Sequence, residues 1–248
     1  MRPSKRSKTE AQGSKSDTAP GKNQPVVDET EKSLMQAVGK KRVLNLDEDT
    51  QQMVNNAVTY MQFKDFKRAL GYLNDAIMRL SGATVDPKAI PLLEFKIDLL
   101  ARLGNMPGVV GTCDTLKSLD WQNLKAWNMQ GMAMLTQHRP EYAKENFLHV
   151  IELLDAGNAE AWIGLGEVAT EEGQLEEAIE RLDKAISLNP SLIAPWFDKG
   201  YIYAVKLGQA REAIECFDQV LAIDPTNART LQAKQQVIDA AKEKGIEL

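Results

Sequence analysis

From Asp49 onward, apolar residues fall at helical spacing almost without a break. Trp127, Trp162 and Trp196 are followed at i+4 by Gly131, Gly166 and Gly200, and at i+7 by Met134, Ala169 and Tyr203. Offsets i, i+4 and i+7 share one face of a helix. A second stripe follows each of these. Ala143, Phe147 and Val150 match Ala178, Leu182 and Ala185, then Ala213, Phe217 and Val220, at a spacing of 35 residues. Each period therefore predicts two helices joined by a turn. The template extends upstream through Met53, Ala57 and Tyr60 with Ala69, Leu73 and Ala76. A poorer copy has Leu92, Lys96 and Leu99 with Val109, Cys113 and Leu116. Five helical pairs are expected, over about residues 50–87, 88–122, 123–157, 158–191 and 192–226. A last helix after Asn227, with Leu231 and Ile238 on one face, is expected to close the stack.

Boundary residues agree with this division. Asn158, Ser191 and Asn227 stand where helix N-caps are needed. Gly104, Gly173 and Gly208 follow first helices, where a left-handed residue is favoured. Pro107 and Pro140 open second helices, where a missing N–H costs little.

One helix pair has apolar surface on more than one side and cannot cover it alone. Stacking similar pairs lets each cover its neighbour, so the repeat follows from one-dimensional packing. The small residue at i+4 lets the second helix come close, and the Trp and the i+7 residue fill the space beside it. Each large side chain buried this way contributes about 1.5–3 kcal/mol.

These residues resemble the tetratricopeptide repeat family, whose pattern runs Trp, Leu-Gly, Tyr, Ala, Phe, Ala and Pro in about 34 residues. Residues 159–192 match at Trp162, Leu165, Gly166, Gly173, Ala178, Ala185 and Pro190, with Leu182 in place of Phe. Residues 193–227 match at Trp196, Gly200, Tyr203, Ala213, Phe217 and Pro225. The third unit supplies Trp127, Gly131, Ala143 and Phe147. The first has Tyr60, Phe66, Ala69 and Ala76 but lacks Trp-Leu-Gly, and the second departs most, with Lys96 in the small-residue slot. The resemblance implies an all-α, right-handed α-solenoid of about five helix-turn-helix hairpins plus a C-terminal capping helix. It also implies a concave groove, lined by the first helices, that receives a peptide or protein partner.

On that resemblance, the inward positions are Val54, Val58, Leu93, Ile97, Asn128, Met132, Ile163, Glu167, Phe197 and Tyr201. Some family members grip acidic chaperone tails with Lys, Arg and Asn at such places. Here Asn128 alone fits, and Glu167 would repel a carboxylate, so that role is disfavoured. Most of the positions are apolar, which points to an apolar or amphipathic segment with Met132, Phe197 and Tyr201 as anchors. Two alternatives stand beside this one. Neighbouring units bury part of the row, or the chain's own residues 34–46 lie along the groove and block it.

Composition adds a division of the 248-residue chain. Residues 1–45 carry ten Lys or Arg against five Asp or Glu, so a tail of +5 precedes a body of −10. The tail is rich in Ser, Lys, Pro and Gly and reads as disordered, with a short helix near residues 28–40. The solenoid is expected over residues 49–244. Such asymmetry raises a second function, a nucleic-acid-associated factor with a basic arm. The tail lacks aromatic residues to stack on bases, which argues against it. The N-terminus has no apolar stretch typical of a secretory signal, and no apolar run is long enough for a membrane span. With two cysteines far apart and no disulfide framework, a cytoplasmic setting is the expectation.

Catalytic chemistry is not apparent. No phosphate loop, nucleophile elbow or zinc spacing occurs. His138 and His149 read as solvated, although Glu145 and Glu152 flank His149 at weak ligand spacing. Cys113 and Cys216 lie on or beside core faces and read as inert. The Gly164-x-Gly166 pair sits inside a helix and reads as packing. Glu171, Glu172, Glu176, Glu177 and Glu180 read as a solvated face. The expectation is a non-catalytic interaction scaffold without cofactor or metal.

Overall fold

The computed structural model describes residues 46–81, 84–246 and 248. The basic tail, its short helix and residues 34–45 of the internal docking alternative lie outside the described residues. The described residues form α-helices, with short 3₁₀ and π segments and no strand. The helices are α1 (Glu48–Gln62), α2 (Phe66–Leu80), α3 (Ile90–Arg102), α4 (Met106–Leu119), α5 (Leu124–Thr136), α6 (Pro140–His149), α7 (Ala159–Glu171), α8 (Leu175–Leu188), α9 (Ile193–Tyr201), α10 (Ala210–Ile223) and α11 (Ala228–Glu243). They pair as five hairpins followed by one more helix. A 3₁₀ turn at Pro87–Ala89 leads into α3. The chain beyond α6 and α9 continues in wider π-helical turns, Val150–Leu154 and Ile202–Leu207.

Each helix packs against the next in sequence, and α3, α5, α7 and α9 also touch one another in succession. The first helices thus form one layer and the second helices the other, as stacked hairpins require. The core follows the repeat. Ala69, Leu73, Ala76, Val109, Cys113, Leu116, Ala143, Phe147, Val150, Ala178, Leu182, Ala185, Ala213, Phe217 and Val220 are all buried. The second-helix stripe is therefore continuous through all five units.

Close approach explains the small residues. A Cβ on Gly131 would stand 2.6 Å from the Phe147 ring, and one on Gly200 2.7 Å from the Phe217 ring. On Gly166 it would stand 2.9 Å from Leu182 Cγ. Gly164 of the next unit also lies against Phe147, so one ring packs on both units three and four. Gly164 and Gly166 are both packing glycines.

The tryptophans tie each unit to the turn before it. Trp127, Trp162 and Trp196 each donate their indole N–H to the carbonyl six residues back, on Trp121 (2.7 Å), Ala156 (3.0 Å) and Pro190 (3.2 Å). Ion pairs repeat as well. Lys199 reaches Asp183 at 2.5 Å, and Lys234 pairs with Asp218 in the same register one unit on.

Most expected boundaries are present. Asn158 and Asn227 accept from Ala161 N–H and Thr230 N–H as N-caps. Gly104, Gly173 and Gly208 have φ of 68°, 78° and 70°. Pro107 and Pro140 lie in the first turns of α4 and α6. Ser191 does not cap. Leu192 occupies the N-cap position of α9 without a side-chain bond, and the Ser191 hydroxyl donates to Asn189 Oδ1 at 2.7 Å within the preceding turn. The capping helix also packs differently from the expectation. Leu231 is exposed, and α11 rests on the stack through Thr230, Ala233, Val237 and Ala241. Ile238, the other residue expected on that face, is half-buried, as Val237 is.

Candidate interaction surface

The ten positions on the first helices divide sharply. Val54, Leu93, Ile97, Asn128 and Ile163 are buried in the stack. Val58 is half-buried. Asn128 is held by Asn158 Oδ1 at 3.0 Å and Glu160 Oε2 at 3.3 Å, so it serves the interface between units three and four. Packing within the hairpins, and from α3 onward between consecutive first helices, consumes this part of the row.

Met132, Glu167, Phe197 and Tyr201 are brought together. They line one cleft of about 480 Å³ that crosses α5, α7 and α9 and reaches α11. Met132 is half-buried, Phe197 is 8% exposed and Tyr201 is 43% exposed. Phe197 leans on Phe217 with ring centroids 5.6 Å apart, so it belongs to the core as much as to the cleft. A second, mostly apolar cleft of about 300 Å³ adjoins the first. It shares Phe197 and Tyr201 and continues over Val205, Val237, Ala240 and Ile246.

Charge in the first cleft is unusual. Glu167 on α7 and Asp198 on α9 both line it. Burial pushes the Glu167 carboxyl up to about 7, and the neighbouring Asp198 carboxylate adds to the shift. Burial raises Asp198 to about 6, against the pull of Arg229. Arg229, on α11, lies 4.0 Å over the Phe197 ring. At the rim, His138 meets Glu171 at 2.9 Å. Lys206 completes the charged lining. Asp198, Arg229 and Lys206 were not in the sequence-derived row. The one local signal was Asp198, which stands two residues after Trp196 where the preceding unit has Gly164.

The remaining candidates are structural. His149 is not solvated: it stacks on Trp127 with centroids 3.7 Å apart, while Lys117 lies 3.9 Å from the same ring. Burial and the Lys117 charge hold the His149 imidazole below its usual range, which favours the neutral ring. Cys113 and Cys216 are buried thiols pushed up to about 12 and about 11, so neither is an activated nucleophile. Among the described residues, no group of three or more His, Cys, Asp or Glu is placed to hold a metal ion. Among them, no helix is long and apolar enough to cross a membrane. In the acidic stretch, Glu177 pairs with Arg181 at 2.9 Å and Glu172 with Lys144 at 3.6 Å.

Two family models match the C-terminal units, "TPR repeat" over residues 166–206 and "Tetratricopeptide repeat" over residues 193–227. Residues 166–227 carry tetratricopeptide repeats. Solved structures carry the same fold beyond those units. The tetratricopeptide repeat protein TTC0263 of Thermus thermophilus aligns with a TM-score of 0.63 at 15% identity, over 76% of this chain and 98% of that one. Residues 41 to the end of MamA from Desulfovibrio magneticus RS-1 align with a TM-score of 0.57 at 22% identity, over 73% and 98%. A chain of the APC/C hetero-tetramer Cut9–Hcn1 aligns with a TM-score of 0.67 at 18% identity, over 86% of this chain and 40% of that one. At such identities the likeness speaks for the tetratricopeptide solenoid and not for a shared partner. No curated protein sequence gives a significant match.

Proposed function

We propose that the chain is a non-catalytic interaction scaffold that seats an apolar or amphipathic partner segment along its last three first helices. The observation that carries this reading is the cleft that Met132 of α5, Glu167 of α7 and Phe197 with Tyr201 of α9 build across three consecutive units, with Tyr201 left 43% exposed. Large aromatic side chains held rigidly in a cleft are favoured anchors for binding. The first two units take a supporting part, because Val54, Leu93 and Ile97 have no surface to offer. Two unpaired, buried thiols suit a reducing, cytoplasmic setting.

The test is capture of partners from a native lysate by the full chain and by Tyr201→Ala, with Tyr142→Ala as the control. Tyr142 is 48% exposed and lies on α6, away from this cleft. Loss of the captured set in Tyr201→Ala alone is the expected result. Equal capture by all three proteins would remove the cleft from consideration.

A further inference from the structure

Two clefts meet at Phe197 and Tyr201, one apolar and one carrying carboxylates. A purely apolar occupant would satisfy the first and strand the second. Glu167 and Asp198 face each other from adjacent first helices. Neither has a hydrogen-bond donor or an ion-pair partner among the described residues, and Arg229 acts on Asp198 only through its charge. The groups facing Glu167 are Asp198 from α9, Arg229 from α11, Lys206 from the π-helical turn, and the His138–Glu171 pair from the turn after α5 and the end of α7. With His138 engaged at Glu171 and Arg229 set against Asp198, Glu167 is the carboxylate left without a close cation. Arg229 also shows what the site accepts: a guanidinium already rests on the Phe197 ring beside an acid.

We propose that the occupant is a foreign partner segment in which an apolar side chain, seated in the cleft over Val205 and Val237, lies one helical turn from a Lys or Arg that reaches Glu167. The inference rests on the groove reading above and specifies its partner chemistry. Charge complementarity decides the basic residue, and the apolar slot decides its neighbour. The raised carboxyl range of Glu167 adds a consequence. Below about pH 7 this group takes up a proton and loses its hold on a cation, so binding should weaken as pH falls from about 8 to about 5.5.

The test is selection of a random 12-residue phage-displayed peptide library on the full chain at pH 8. The expected winners place Lys or Arg three or four residues from Leu, Ile or Phe, and Tyr201→Ala displaces them. Replacing the basic residue of a winner by Gln should weaken it about tenfold at pH 8 and about threefold or less at pH 5.5, and Glu167→Gln should erase that difference. Winners without a basic residue, or a basic residue whose worth survives Glu167→Gln, overturn this inference and leave the groove reading intact. A library yielding no peptide sensitive to Tyr201→Ala overturns both. Self-association of the full chain in sedimentation, abolished by Tyr201→Ala, makes the occupant a second copy and overturns the foreign partner.

Discussion

Gly164 of α7 lies against the ring of Phe147 of α6, the side chain that one hairpin drives into the next. The same ring also lies against Gly131, where an added Cβ would stand 2.6 Å from it. Gly164→Ala is expected to destabilise the fold by about 1–3 kcal/mol through overpacking, despite a gain of helix propensity near 1 kcal/mol. Thermal unfolding followed by circular dichroism checks this. Phe147→Leu combined with Gly164→Ala should recover part of the loss, because the two changes compensate in volume.

The turns between first and second helices need a left-handed residue. Units two, four and five place Gly there, but unit one has Lys64 at φ 58° and unit three has His138 at φ 54°. A side chain in this conformation costs about 1 kcal/mol, only part of which Gly gives back as chain entropy. Lys64→Gly is expected to stabilise by a few tenths to about 1 kcal/mol. A higher urea midpoint with an unchanged slope is the result to look for.

Stability should respond to pH through Glu167 and Asp198. Both carboxyls lie above their ordinary values of 4.5 and 3.8 in the folded chain, so the folded state binds more protons than the unfolded one between about pH 4 and pH 7. Their contribution is therefore full below about pH 4 and is lost as pH rises through 6 and 7. Glu167→Gln should remove much of that decline and raise stability at pH 8, by an amount on the order of 1–2 kcal/mol. Urea unfolding of both proteins at pH 5, 6.5 and 8 measures it; parallel curves would contradict the assignment.

Asn158 carries two duties. Its Oδ1 accepts from Ala161 N–H at 2.9 Å, capping α7, and from Asn128 Nδ2 at 3.0 Å. Asn158→Ala is expected to cost about 1–2 kcal/mol, at the upper end of cap substitutions, since it also deprives a buried amide of a partner. Asn227→Ala, which removes a cap on Thr230 and only a long 3.4 Å bond to Asp224, gives the reference unfolding midpoint for a cap without a partner in the neighbouring unit.

The periodic features were legible because they are local. A Trp, a Gly four residues on and a second stripe one helix later name the face of each helix, and every second-helix position in that stripe is buried. How closely neighbouring units approach was not legible. The row from Val54 to Ile163 shares a face with Phe197 and Tyr201, yet most of its residues are buried while Tyr201 is exposed. The capping helix shows the same limit: Leu231 is the larger apolar residue, but Thr230, Ala233 and Val237 fit the end of the stack. Asp198 and Arg229 line one cleft only because α11 brings Arg229 over Phe197 of α9, and no spacing within either helix announces it. His149 looked polar and free, but its flat ring finds the Trp127 face.

Because hairpins contact mainly their immediate neighbours, the protein has the mechanics of a coil spring, with small rotations summed along its length. A guest bridging α5, α7 and α9 would clamp three successive turns of that spring and leave the first two compliant. Occupancy at one end would then be felt as stiffness rather than as a change of shape, and amide exchange in α5–α9 would slow while that of α1 and α2 stayed as it was.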